Sequence, residues 1–185
     1  MNWLISYNHS GNGWVRYCIE YLTKLPTHGH QPFSMSERNN NFLNVNLSNE
    51  PIVIKRHEIE LSEIKSTDNL LLLLRNPFDA IKENKEPIKE FNKYYKLIKV
   101  YESFNGNKSY FTYDYLFTLN MLKSLKEIYN LEYDEIRYND MKNNFLYHQQ
   151  QSLSIHQNKI NEKGTDLTKY IDKSLLEHVQ SYFKY

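Results

Sequence analysis

The chain has 185 residues, 40% of them hydrophobic and 24% charged, which fits a single folded domain and excludes a disordered segment. Its 23 basic and 22 acidic side chains give a formal charge of +1, so no overall basic field indicates nucleic acid as a partner. The single cysteine, Cys18, excludes an internal disulfide, no Cys/His spacing suggests a metal, and the absence of a long apolar run or secretory signal pattern predicts a cytoplasmic protein without a membrane span.

The first half of the chain alternates short apolar runs with one amphipathic helix. Residues 3–7 predict a strand that runs into the glycine-containing segment 8–13, and apolar residues then recur at helical spacing from Trp14 to Leu25. Residues 27–50 show no sustained period, so we expect a loop. Strands are expected at 52–54 and 70–74, where five consecutive leucines are typical of a parallel strand covered on both faces.

The second half continues the alternation. Residues 78–103 have a helical composition interrupted near Pro87, residues 109–113 predict a fourth strand, and residues 116–129 predict a helix. Beyond residue 131 the pattern weakens until a terminal helix is indicated within 175–183. This order predicts an α/β fold over residues 1–185, a single domain with a P-loop-like open parallel sheet flanked by helices.

Four polar clusters follow strands of this predicted sheet, at 8–13, 55–58, 75–79 and 113–116. Ligands bind at the carboxyl ends of strands in such sheets, so we expect the clusters to converge on one site. Segment 8–13 opens a helix and would expose successive backbone N–H groups, which favours an anion. It lacks the Gly-Lys-Ser/Thr of an ATP-splitting loop, and a plain strand-to-helix turn is the alternative.

Segment 6–17 resembles the 5′-phosphosulfate loop of sulfotransferases that use 3′-phosphoadenosine-5′-phosphosulfate (PAPS), which reads Tyr-Pro-Lys/Arg-Ser-Gly-Thr/Asn-Thr-Trp. Ser10, Gly11 and Trp14 match, and Asn12 is an accepted variant. Segment 54–58 is similar to the Lys-Thr-His segment of that family, 73–80 to its Arg-Asn-Pro strand end, and 111–116 to its Tyr-Glu-Asp-Leu strand end. These motifs cover residues 3–130, and 162–164 resembles a late Arg-Lys-Gly segment, so 131–185 is expected to complete the cofactor site.

The resemblance implies transfer of a sulfuryl group from PAPS to a hydroxyl of a carbohydrate or small molecule, by in-line displacement and without a metal. His57 would be the catalytic base, and Lys55 and His9 would stabilise the leaving group. The implied cofactor-binding residues are His9, Ser10, Gly11, Asn12, Gly13, Trp14, Arg75, Tyr113, Lys163 and Gly164.

Several of these residues have a structural alternative. His57 and Arg75 would also suit solvated positions at strand ends, and Trp14 heads the apolar stripe of a helix and would suit a core. Tyr138 is a competing match for the motif tyrosine, although a better strand precedes Tyr113.

Three residues depart from the family pattern. His9 stands where the family has Lys or Arg, and Gly13 replaces a Thr that would give a hydroxyl to the 5′-phosphate. Glu83 stands where the family has the 3′-phosphate Ser, and a carboxylate there would repel a phosphate. These departures keep open a degenerate nucleotide- or glycan-binding module, beside a P-loop-like nucleotide kinase or hydrolase.

The acceptor pocket is expected to come from segments 27–50 and 84–105. Its aromatic residues would stack on a sugar or line an apolar pocket: Phe33, Phe42, Tyr94, Tyr95 and Tyr101. The small size of the chain suggests a homodimer.

Overall fold

The computed structural model describes residues 1–29, 45–46, 48–82, 86–156 and 164–184, and five parallel strands form its sheet. The strands are β1 (Asn2–Ser6), β2 (Thr27–His28), β3 (Val53–Arg56), β4 (Asn69–Leu74) and β5 (Asn107–Thr112). Their order across the sheet is β2-β3-β1-β4-β5. The predicted α/β class, with an open parallel sheet and flanking helices, is therefore confirmed.

Among the described residues the helices are α1 (Asn12–Thr23), α2 (Pro77–Ala80), α3 (Pro87–Ser103), α4 (Leu119–Tyr129), α5 (Glu135–Asn143), α6 (Phe145–His156) and α7 (Lys173–Gln180). Asn76, Asp134 and Asp172 cap α2, α5 and α7 by accepting a backbone hydrogen bond in the first turn. Lys24 and Asn130 end α1 and α4 in the left-handed conformation. None of the helices in this part of the chain is long and apolar enough to span a membrane.

The leucines of β4 divide the core between the two faces of the sheet. Leu71 and Leu73 pack with α1, α4 and α5, whereas Leu70, Leu72 and Leu74 pack with α3 and α7. All five are at most 2% exposed. This two-sided burial is the reason that the strand is a continuous aliphatic run instead of an alternating one.

Three elements were not expected from the sequence. Thr27–His28 was predicted as loop but pairs with β3 as an edge strand, and two residues are too few to show a period. Helices α5 and α6 occupy the stretch where the pattern weakened. These two helices lack a long apolar stripe: Met141 is fully buried, but Ile136 and Leu146 are exposed, so the sequence shows no clear helical period there.

Candidate functional site

At the carboxyl ends of the adjacent strands β1 and β4, the chain continues to opposite faces of the sheet. After β1 the chain enters α1, whose buried side chains pack with Leu4 on one face. After β4 it continues to α3, whose buried side chains pack with Ile5 on the other face. In an open parallel sheet this divergence creates a crevice between adjacent strand ends, and ligands bind there.

Segment 8–13 connects β1 to α1 with an unusual backbone. His9 and Gly11 have φ angles of 62° and 87°, both in the left-handed region. A Cβ at Gly11 would collide with the side chain of Leu116, so this position requires glycine for space as well as for conformation. No side chain caps the start of α1, and no acidic residue lies in its first turn. The first N–H groups of α1 therefore remain available to an anion.

Ser10 is fully enclosed in this segment, and its hydroxyl has no hydrogen-bond partner among the described residues. The hydroxyl of Ser6, at the end of β1, is in the same condition. Buried hydroxyl groups are normally paired, so two such groups beside an uncapped helix start indicate a place that a polar ligand completes.

Arg75 links three of the predicted clusters. Its Nη1 donates a hydrogen bond to the carbonyl oxygen of His9 at 3.2 Å, and its guanidinium lies 4.7 Å from the ring centre of Tyr113. Its own carbonyl oxygen accepts a hydrogen bond from the buried Tyr94 at 2.9 Å. The residue following β4 is thereby fixed between the loop after β1 and the segment after β5.

The structure brings Tyr113 to this site and places Tyr138 elsewhere. The ring of Tyr113 lies against Gly11 and packs edge-on to Phe117. Tyr138 lies on α5, where it contacts Tyr133. Of the two competing tyrosines, only Tyr113 follows a strand of the sheet.

Lys55 lies on the α1 side of β3 and is only 5% exposed. Within the described residues its ammonium group has no hydrogen-bond or ion-pair partner. Burial, and to a lesser extent the nearby charge of Arg16, together lower the pKa of its ammonium group from 10.5 to about 7. Arg16 is itself held in place, since its Nε donates to the Thr27 hydroxyl at 2.8 Å and that hydroxyl donates to Glu20.

His57 follows β3 and is half-buried beside the end of β1. Its Nδ1 lies 2.6 Å from the carbonyl oxygen of Ser6. A carbonyl oxygen can only accept, so Nδ1 carries the hydrogen and Nε2 is the basic nitrogen of the neutral ring. This fixed tautomer suits a residue that takes a proton through Nε2.

Trp14 lies in the core, as expected from the alternative in which it belongs to the apolar stripe of α1 and does not bind the cofactor. Its indole N–H donates to the carbonyl oxygen of Leu116 at 2.7 Å, and its ring packs against Tyr17 and Phe145 at 5.7 and 5.5 Å between ring centres. With 5% of the residue exposed, little of the ring is left for a nucleotide base in this conformation. Gly13, beside it, is also buried.

Gly164 connects the C-terminal extension to the segment after β4. It forms an antiparallel bridge with Lys82, and the Thr165 N–H donates to the carbonyl oxygen of Ile81 at 3.0 Å. A Cβ at Gly164 would collide with the carbonyl oxygen of Phe78, so the close approach requires glycine. Lys163 and Glu83, the other two residues of interest here, lie outside the described residues, as do Phe33 and Phe42.

A buried network on the α1 side was missed by the sequence reasoning. Nδ1 of His148 lies 2.9 Å from the Tyr17 hydroxyl, and its Nε2 lies 2.9 Å from Asp140, which also accepts from Tyr21. Burial lowers the pKa of His148, although Asp140 opposes that effect. The sequence does contain a sign of this network. Its members recur every four residues, which is the spacing of side chains on one face of a helix: Tyr17 and Tyr21, and Asp140, Asn144 and His148.

Two surface depressions, of about 640 and 820 Å³, lie outside the crevice between β1 and β4, although the larger one includes Thr112, Asp114 and Tyr115 at the carboxyl end of β5. The first lies on the outer side of α3 among lysines that mostly have ion-pair partners, and the second follows the open edge of β5. The strand-end cluster has the chemistry that these depressions lack, so it is the better candidate for the functional site.

In the part of the chain that the structure describes, no group of three or more His, Cys, Asp or Glu side chains is arranged to hold a metal ion. No protein-family model matches the chain.

Proposed function

We propose that the protein is a sulfotransferase that transfers a sulfuryl group from PAPS to a hydroxyl of a carbohydrate or small-molecule acceptor. The observation that carries the proposal is the position of Arg75, which contacts both the His9 carbonyl and the Tyr113 ring at the crevice between β1 and β4. The motif order of the sequence and this convergence support each other. The finer P-loop-like description of the fold is part of the same proposal.

The donor needs two anion sites, and the residues present fit that need. The uncapped start of α1, together with Lys55, would hold the 5′-phosphosulfate, since both offer unpaired donors on the α1 side of the sheet. Arg75 would bind the 3′-phosphate through the fork of its guanidinium, which lies 4.7 Å from the ring centre of Tyr113. The bridge at Gly164 would let the C-terminal extension close this side of the site.

The protein's part in the transfer is to hold charge and to move one proton. The acceptor hydroxyl would give its proton to Nε2 of His57 as its oxygen attacks sulfur, and the bond from sulfur to the 5′-phosphate oxygen would break in line. Lys55, the α1 N–H groups and His9 would stabilise the negative charge that develops on the leaving oxygen. An anion beside Lys55 would raise its pKa from about 7, so donor binding should take up a proton near neutral pH.

The first test is calorimetric titration with adenosine 3′,5′-bisphosphate, the desulfated product, without Mg²⁺ and with ATP as a comparison. We expect the bisphosphate to bind more tightly than ATP, and Arg75→Gln to weaken it by about tenfold or more, because a charged hydrogen-bonding pair is lost. Lys123→Gln, on the exposed face of α4, is the matched control and should bind normally. Binding of neither nucleotide would contradict the proposal.

The second test separates catalysis from binding. His57→Gln should lower transfer from labelled PAPS by about 10²–10⁴-fold while leaving bisphosphate affinity unchanged, as expected for loss of a general base. An unchanged transfer rate would remove the assignment of His57.

Two other functions are distinguished by the same assays. A degenerate binding module is favoured by Gly13, which lacks the hydroxyl that the family's Thr gives to the 5′-phosphate, and by Glu83, whose carboxylate would repel a phosphate. It would bind the bisphosphate without transfer to any acceptor. A nucleotide kinase or hydrolase would show Mg²⁺-dependent ATP turnover. The cytoplasmic location and the homodimer stay predictions, the latter open to a mass measurement in solution.

A further inference from the structure

Arg56, the last residue of β3, carries a cationic group that the fold does not pair. Within the described residues it forms no ion pair or hydrogen bond, and its Nε is buried without a partner. An arginine offers five N–H donors and keeps its charge at every physiological pH. Because buried donors are nearly always satisfied in folded proteins, this one requires an explanation outside the chain's own contacts.

Two carboxylates on the α3 side of the sheet are engaged with other groups. Glu90 on α3 accepts hydrogen bonds from the Tyr7 hydroxyl and from Lys93, the latter at 2.9 Å. Glu60, four residues after Arg56, pairs with a lysine of α3. Neither of these carboxylates pairs with Arg56, and within the described residues Arg56 has no counter-charge at ion-pair distance.

Arg56 and Lys55 lie on opposite faces of the same strand end. Ile54 packs into the core on the α3 side, and Arg56, two residues later, shares its face because side chains alternate along a strand. Lys55 lies between them in the sequence and is buried on the α1 side. One anionic group cannot neutralise both cations across the sheet, so the two residues indicate two separate anions.

Resting on the sulfotransferase function, we propose that the acceptor is itself anionic and that Arg56 binds its carboxylate or sulfate group. Arg56 immediately precedes His57, whose ring is fixed by the Ser6 carbonyl. An acceptor whose hydroxyl reaches His57 would need to extend past the end of β3 to the α3 side for its anionic group to meet this guanidinium. The planar fork matches the geometry of a carboxylate or sulfate, and Arg56 acts as a specificity-determining residue.

The test measures acceptor-like ligands on protein saturated with adenosine 3′,5′-bisphosphate, so it does not depend on turnover. Two matched pairs serve as probes: methyl β-glucuronide with methyl β-glucoside, and 4-hydroxyphenylacetate with 4-hydroxyphenylethanol. Each pair keeps its ring and its acceptor hydroxyl while the anionic carboxylate is replaced by a neutral alcohol. We expect the anionic member of at least one pair to bind about tenfold more tightly or better, the usual effect of a charge-assisted hydrogen bond.

Arg56→Gln should abolish that preference and leave bisphosphate affinity unchanged, which also shows that the variant is folded. Arg56→Lys should retain part of the preference, and Lys123→Gln should retain all of it. Equal binding within both pairs, or a preference that survives in Arg56→Gln, would overturn the inference while the sulfotransferase proposal stands. Failure of the bisphosphate to bind to the wild-type protein would instead refute both.

Discussion

Replacing Lys55 by Met should stabilise the ligand-free protein, because the fold holds this cation away from water and beside a second cation. The side chain is 5% exposed, and burial first and Arg16 second lower its pKa from 10.5 to about 7. At about 1.4 kcal/mol for each pKa unit, full protonation costs the fold roughly 5 kcal/mol. Local relaxation and water penetration reduce this cost, so we expect a gain of about 2–3 kcal/mol for the variant.

The gain has a defined pH dependence. Because the pKa of Lys55 is lower in the folded than in the unfolded chain, its cost is absent above pH 10.5 and complete below about pH 7. Urea unfolding of Lys55→Met and wild type should therefore differ most in mildly acidic buffer and converge as the pH rises towards 10.5. Methionine keeps the length and apolar stem of the lysine, so packing changes little.

The control is Lys123→Met, whose side chain is 76% exposed and should change stability by less than about 0.5 kcal/mol. A difference that does not vary with pH, or a Lys55→Met protein less stable than wild type in mild acid, would refute the reasoning. Donor binding should be weaker in Lys55→Met although the protein is more stable, because the variant lacks the charge that we propose binds the 5′-phosphosulfate.

Three further predictions concern the same region. Gly11→Ala should destabilise the fold by about 2–4 kcal/mol in urea unfolding, from the left-handed backbone and the collision with Leu116. Gly29→Ala should cost less than Gly11→Ala, because its backbone is not in the left-handed region and its Cβ would meet Arg16 Nη1 at 3.0 Å, and equal losses in both variants would contradict this difference. Stability should fall as the pH drops below about 6.5, because the pKa of His148 is lower in the folded than in the unfolded chain and its protonation therefore opposes folding. Unfolding curves of His148→Gln should show a weaker pH dependence, and an unchanged dependence would contradict this explanation. Tyr113→Leu should weaken bisphosphate binding about threefold in the calorimeter, because the contact between the ring and the Arg75 guanidinium is lost. Tyr113→Phe keeps the ring and should bind normally. A loss of affinity in both variants would indicate that the hydroxyl, and not the ring, is responsible.

The sequence contained enough to predict the sheet and the convergence of its polar ends. The five leucines of β4 and the apolar stripe of α1 are local patterns, and parallel strands necessarily bring their carboxyl ends to one edge. For that reason the contacts of Arg75 with the segments after β1 and β5 follow from the strand assignments.

Other features depend on tertiary contacts that have no local signature. Trp14 looked equally suited to a ligand or a core, and only the packing of α6 and the Leu116 carbonyl place it in the core. The isolation of Arg56 was not predictable either, because a charged residue at a strand end looks solvated until its neighbours are seen to have other partners. The pairing of His148 with Tyr17 and Asp140 had no local signature of this kind, because these partners lie on two other helices.

The position of β1 in the middle of the sheet has a consequence for how the chain acquires its structure during synthesis. Trp3 pairs with Ile54 on one side and with Leu70 on the other, so β1 cannot be enclosed until both later strands have emerged from the ribosome. Until then its apolar residues are open to water or to other chains, and such long-range pairing is slow and prone to aggregation. Helix α1 follows β1 directly and covers one of its faces, so it is the first element that can shield this strand. The apolar stripe of α1 from Trp14 to Leu22 would therefore protect β1 during synthesis, before the same stripe becomes part of the completed core.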